Sequence, residues 1–146
     1  MTTAISITAL TAQQAADLRE IAAWGLADRA HMFIECSSRF GGSTSSYDDE
    51  ARLADAVRLA DSLAVGESPH RARALDRRDL TTLREMVEGI VVVGADADDA
   101  PGRPYWGALL ATAERGRAIV EALEATLPSV SLCECCGRPY AGAAAA

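Results

Sequence analysis

Apolar residues recur at helical spacing in four stretches of this chain, separated by breaks rich in Gly, Pro and hydroxyl residues. Helices patterned this way bury one face each, so they must pack on one another. Ala is abundant and aromatics are only 5% of the chain. Small side chains let helices approach closely, which favours a helical bundle over a β-sandwich.

The first stretch opens at Thr11-Ala12-Gln13-Gln14, a capping-box pattern in which Gln14 can reach back to the cap. Ala15, Leu18, Ile21, Ala22 and Leu26 continue as one stripe, which Met32 and Phe33 rejoin. The spacing predicts a helix over 12–37, with Gly25 softening its middle. The break at 39–46 carries Gly41-Gly42-Ser43-Thr44 but lacks the G-x-x-x-x-G-K-[ST] phosphate loop, and the chain has no Lys. It reads as an interhelix loop.

A second helix is expected over 47–64. Leu53, Val57, Ala60 and Leu63 form its apolar face, Asp48 and Asp49 sit in a first turn where the helix dipole favours acids, and these two with Glu50, Asp55 and Asp61 are expected mainly away from the apolar face. After a break at 65–69 comes the one basic segment, His70 to Arg78, which carries Arg71, Arg73, Arg77 and Arg78. A third helix follows, capped at Asp79 or by the box Thr82-Leu83-Arg84-Glu85, with Leu80, Leu83, Val87, Ile90 and Val91 in its stripe. Ile90-Val91-Val92-Val93 would also suit a buried strand, but continuity with the preceding stripe favours helix. A last helix starts near Pro104, carries Leu109, Ala113, Ile119, Val120 and Leu123, and ends before Pro128.

The expected fold is therefore all-α: about four helices in an irregular bundle, with a short C-terminal zinc-knuckle-like appendage. Residues 1–128 form the helical domain, 129–140 the cysteine knuckle segment, and 141–146 a disordered tail. At 146 residues the chain is the size of one domain.

The net charge of −7 disfavours nonspecific binding to nucleic acid or anionic membrane, since phosphate neutralisation needs a basic face. No apolar run reaches the roughly 18 residues of a membrane span. Met1-Thr2-Thr3-Ala4-Ile5 lacks the positive, then apolar, pattern of a secretory signal. The expected compartment is the cytoplasm, where thiols stay reduced. The absence of both Lys and Asn fits codon bias in a high-GC bacterium or its phage.

In a reducing compartment, clustered cysteines point to metal before disulfide. Cys133-Glu134-Cys135-Cys136-Gly137 is the most chemically specific feature of the chain. Two thiolates three residues apart on a tight turn can hold one tetrahedral ion, and Gly137 suits such a turn. The stretch from Cys133 to Tyr140 resembles half of a zinc ribbon or rubredoxin-type site. A ribbon has a second knuckle, which this chain lacks, so the remaining ligands must come from Cys135, from Cys36 or a histidine (His31 or His70), or from a second subunit. His31 and Cys36 lie five apart on the first helix and so project about 140° apart. Cys36 is expected to point with Met32 into the core.

A thiol–disulfide redox reading meets the objection that Gly137 and Pro139 follow the pair, where a thiol-activating helix would start. Asp96, Asp98 and Asp99 do not complete a calcium loop, because Gly107 occupies the position that needs a bidentate Glu. No catalytic constellation is present: neither G-x-S-x-G nor H-E-x-x-H occurs.

The sequence thus predicts a small non-enzymatic helical interaction or assembly protein that binds zinc, with a protein partner or another copy of itself. The alternatives are a nucleic-acid-linked regulator using Arg71, Arg73, Arg77 and Arg78, and a thiol-disulfide redox protein.

Overall fold

A computed structural model describes residues 4–39, 47–65, 73–96 and 103–128. Among them are four α-helices: α1 (Ala12–Arg39), α2 (Tyr47–Leu63), α3 (Arg77–Asp96) and α4 (Arg103–Thr126). The all-α expectation holds at that level, and each helix begins or ends within a few residues of where its stripe predicts. The Ile90–Val93 run is helical. Ile90 is fully buried while Val92 and Val93 are exposed, a split that one helical turn produces.

The start of α1 is the predicted capping box. The Thr11 N–H donates to Gln14 Oε1 at 2.9 Å, and the Gln14 N–H donates to Thr11 Oγ1 at 3.1 Å. The start of α3 corrects the expected cap. The helix begins at Arg77, and Asp76 and Asp79 form a second reciprocal box around that start. The Asp79 N–H donates to Asp76 Oδ1 at 2.9 Å, and the Asp76 N–H donates to Asp79 Oδ2 at 3.0 Å. Two Asp residues can do the work of the usual Ser/Thr and Glu/Gln because each carboxylate accepts an otherwise orphaned N–H. Thr82 lies inside the helix and is buried.

Two strands of three residues each were not expected. β1 (Ala4–Ser6) and β2 (Ala74–Asp76) pair antiparallel, with Ala4 opposite Asp76, Ile5 opposite Leu75 and Ser6 opposite Ala74. The ribbon extends by one bond, from the Ile7 N–H to the Arg73 carbonyl at 3.1 Å. Strands this short carry no readable alternation. The ribbon is anchored by Leu75, which is fully buried.

Every helix contributes to one core. Leu18 and Ile21 come from α1, Leu59 and Leu63 from α2, Leu80, Leu83, Val87 and Ile90 from α3, and Leu109 and Val120 from α4. Each such side chain contributes roughly 1.5–3 kcal/mol relative to being exposed. Trp24 and Trp106 pack against this cluster from its edge. Glycines set the closest approaches. A Cβ at Gly25 would overlap the Met86 side chain of α3, and a Cβ at Gly116 of α4 would overlap Ile21 of α1. Gly25 therefore admits a neighbour; α1 runs unbroken through it.

Two apolar faces differ from expectation. On α2 the core takes Ala56, Leu59 and Leu63, leaving Val57 52% exposed. Two adjacent stripes were available, and the one with the small Ala56 and the large Leu59 turned inward. On α1 Arg29 is buried, and from Ala30 to Cys36 none is. Met32 is 47% exposed and Cys36 is only partly covered, so neither enters the core. The α1 residues in or against the core end at Leu26, so Met32 and Cys36 lie more than a turn beyond the helix's contribution to it.

Candidate functional site

The cysteine segment Cys133, Cys135 and Cys136 lies outside the described residues, as do His70, Arg71 and the Asp98–Asp99 pair. Of the other proposed metal ligands, His31 is exposed and its Nε2 lies 3.3 Å from Glu35 Oε1, one turn further along α1. Cys36 is a free thiol on the same helix. Because α1 is continuous through both, His31 and Cys36 face different directions. Among the described residues no group of three or more His, Cys, Asp or Glu side chains converges as a metal site would require.

The described part of the basic segment, from Arg73 to Arg78, is folded into the structure. Arg73 Nη1 donates to the Ala64 carbonyl, just past the end of α2. Arg19 of α1 donates its Nε–H to the Leu63 carbonyl at 2.6 Å, so two arginines from separate elements serve the same helix end. Arg77 Nη2 donates to the Pro128 carbonyl at 2.5 Å, just beyond α4. Cations at these places satisfy orphan carbonyls and oppose the negative end of the helix dipole. Arg78 pairs with Asp55 of α2 at 2.7 Å. All three described arginines of the segment therefore have intrachain partners.

Two polar clusters join helices. Arg115 of α4 holds Asp17 of α1 with two hydrogen bonds of 3.0 Å each. That fork, together with the Gln13 side chain, holds the nearly buried Asp17 carboxyl below the usual carboxylate range against the opposing effect of burial. Arg29 of α1 is buried and donates to Glu85 Oε2 of α3 and to the Arg52 carbonyl of α2, both at 2.9 Å. Burial lowers its pKa, and Glu85 offsets part of that effect.

Beside the α3 box, Arg58 of α2 pairs with Asp76 and lies 3.7 Å from Asp79. Burial opposes ionisation of both carboxyls. At Asp76 the Asp79 N–H and Arg58 outweigh it and hold the group below the usual range. At Asp79 burial prevails and pushes the group up. Each of these clusters fastens one element to another.

Two concavities stand out among the described residues. A cleft between α3 and α4, at Arg84, Val87 and Arg117, holds only ≈ 130 Å³, below the roughly 300 Å³ where ligand pockets begin. The other is an open groove of ≈ 630 Å³ along α1 and α2. Phe33 forms its α1 side. Leu53, Ala54 and Val57 form an apolar strip on α2, with Glu50 before it and Asp61 after it. Sequence reasoning assigned Leu53 and Val57 to the core and so missed this groove. The usable signal was Leu59, which completes a competing stripe with Ala56 and Leu63.

No helix among the described residues is long and apolar enough to cross a membrane. No protein-family model matches the chain, and neither the curated proteins nor the solved structures yield a match.

Proposed function

We propose that this chain is a small non-enzymatic helical interaction or assembly protein whose C-terminal cysteine segment binds zinc. The observation that carries the interaction reading is the groove strip on α2 in which Ala54 and Val57 are exposed and Leu53 is only partly covered, with Phe33 across from it. A bundle with a complete core elsewhere gains nothing in its own stability by leaving these side chains wet. The zinc reading is supported by the spacing Cys133-x-x-Cys136-Gly137, with Cys135 beside it. Cys36 and His31 would join such a site only by meeting the cysteine segment separately, because they diverge on α1.

Metal analysis of the full chain purified without chelator tests the zinc reading. The expected content is about one zinc per chain, or about one per two chains if two copies complete the site. Lower content, or content unchanged in a Cys133→Ser, Cys136→Ser double variant, would remove zinc from the proposal.

A further inference from the structure

We infer that β1 is a displaceable strand: it opens from β2 while the four helices stay folded, and an extended, uncharged segment of another protein, with apolar residues two apart, takes its place.

The two strands are held very differently. β2 has fastenings that do not involve β1. Leu75 is fully buried in the core, Asp76 pairs with Arg58 of α2, and Asp76 and Asp79 cap α3 together. Arg73, just before the strand, donates to the Ala64 carbonyl. β1 and the 3-10 turn after it, Ile7–Ala9, have no such anchors. From Ala4 to Leu10 no residue is charged and none is fully buried. Ile5, Ile7 and Leu10 lie half-buried against the core, and Ser6 Oγ bonds Thr8 Oγ1 within the segment at 2.8 Å. A two-stranded ribbon is marginal by itself, and elements with few buried contacts open more easily than the whole fold.

The junction with α1 permits this opening. The Thr11–Gln14 box draws its partners from those two residues alone, so the start of α1 stays capped without the segment before it. Leu10, extended at φ −84° and ψ 145°, is the hinge.

What β1 leaves behind is a strand-shaped site. The Ile7 N–H donates to the Arg73 carbonyl, and the antiparallel alternation makes Ile5 and Leu75 the next inward-facing pair. Opening frees these backbone groups of Arg73 and Leu75 and vacates the places of Ile5 and Ile7. A segment added to such an edge binds through its main chain, and alternate side chains give selectivity. β1 itself shows what fits: no charge, and β-branched apolar residues at i and i+2. The β1 of a second copy would first have to leave its own β2. That exchange trades identical pairings and gains none, which favours a segment from another protein.

The test uses the full chain. In amide hydrogen exchange, the Ile7 and Leu75 N–H groups should exchange at least about tenfold faster than those of Leu83 and Leu109 within the helices. A labelled peptide copying residues 4–10 is the probe for the edge. Ile5→Ser raises the open population, so the peptide should bind this variant roughly tenfold more tightly than the parent, with the helical circular dichroism retained. A peptide with Ser at both Ile positions should not bind. Exchange of Ile7 and Leu75 in step with Leu83 overturns the proposal, because β1 then opens only with the bundle. So does loss of helical signal in Ile5→Ser. Equal peptide affinity for parent and variant, binding of the Ser peptide, or no binding at all also overturns it. A dimer in sedimentation that Ile5→Ser dissolves gives the edge to a second copy instead.

Discussion

Asp76 and Asp79 each accept the other's backbone N–H, at 2.9 and 3.0 Å, and Arg58 of α2 closes over the pair. One turn of chain thereby ends β2, starts α3 and fastens both to α2. Asp76→Ala removes the cap and the Arg58 partner together. The expected loss is about 1 kcal/mol, within the roughly 0.5–2 kcal/mol range of N-cap removals. Urea denaturation measures it, and a loss indistinguishable from that of an exposed control such as Glu88→Ala would show that the box is idle.

Asp17 sets an acid-sensitive contact between α1 and α4. Its folded carboxyl titrates below the unfolded value, so its contribution is complete above the unfolded pKa of about 3.9 and is lost as pH falls through the folded one. The parent chain should lose urea resistance below about pH 4, and Asp17→Asn should start less stable at pH 7 yet lose less between pH 5 and pH 2. Parallel pH profiles for the two chains would contradict this assignment.

Helical glycines should respond oppositely according to what they face. Gly116→Ala forces a methyl into Ile21 and is expected to cost about 1–3 kcal/mol. Gly107 on α4 has nothing within 4 Å of an added Cβ, so Gly107→Ala should stabilise by roughly 0.5–1 kcal/mol through helix propensity. Thermal melts of the two variants shifting in the same direction would count against close packing at Gly116.

Truncation distinguishes the two faces of α2. Leu59→Ala is expected to lose about 2–5 kcal/mol, as a buried leucine does, whereas Val57→Ala should stay within about 1 kcal/mol. Similar losses at both positions would mean that α2 turns a different face to the core.

The helices were legible because their stripes are long and their caps are local. The Thr11–Gln14 box needs only neighbouring residues, and it forms as predicted. The choice between the Val57 and Leu59 stripes was not legible, since both are apolar and only the neighbouring helices decide which turns inward. The ribbon escaped notice because pairing Ile5 with Leu75 depends on a distant segment, and three residues show no period. Arg73, Arg77 and Arg78 look like a cationic patch in one dimension. In three dimensions they meet the ends of α2 and α4 and the flank of α2, partners that no local pattern reveals.

The pairing of β1 with β2 also has a consequence in time. Ile5 leaves the ribosome 70 residues ahead of Leu75, its partner across the ribbon. At the ribosome's usual 5–20 residues per second, that is a wait of roughly 4–14 s. α1 and then α2 emerge during that wait, and α2 is complete at Leu63, shortly before Leu75, while the first strand still has nothing to pair with. The nascent chain therefore holds an unpaired first strand until β2 arrives, and any segment placed before Ala4 can compete for that strand first.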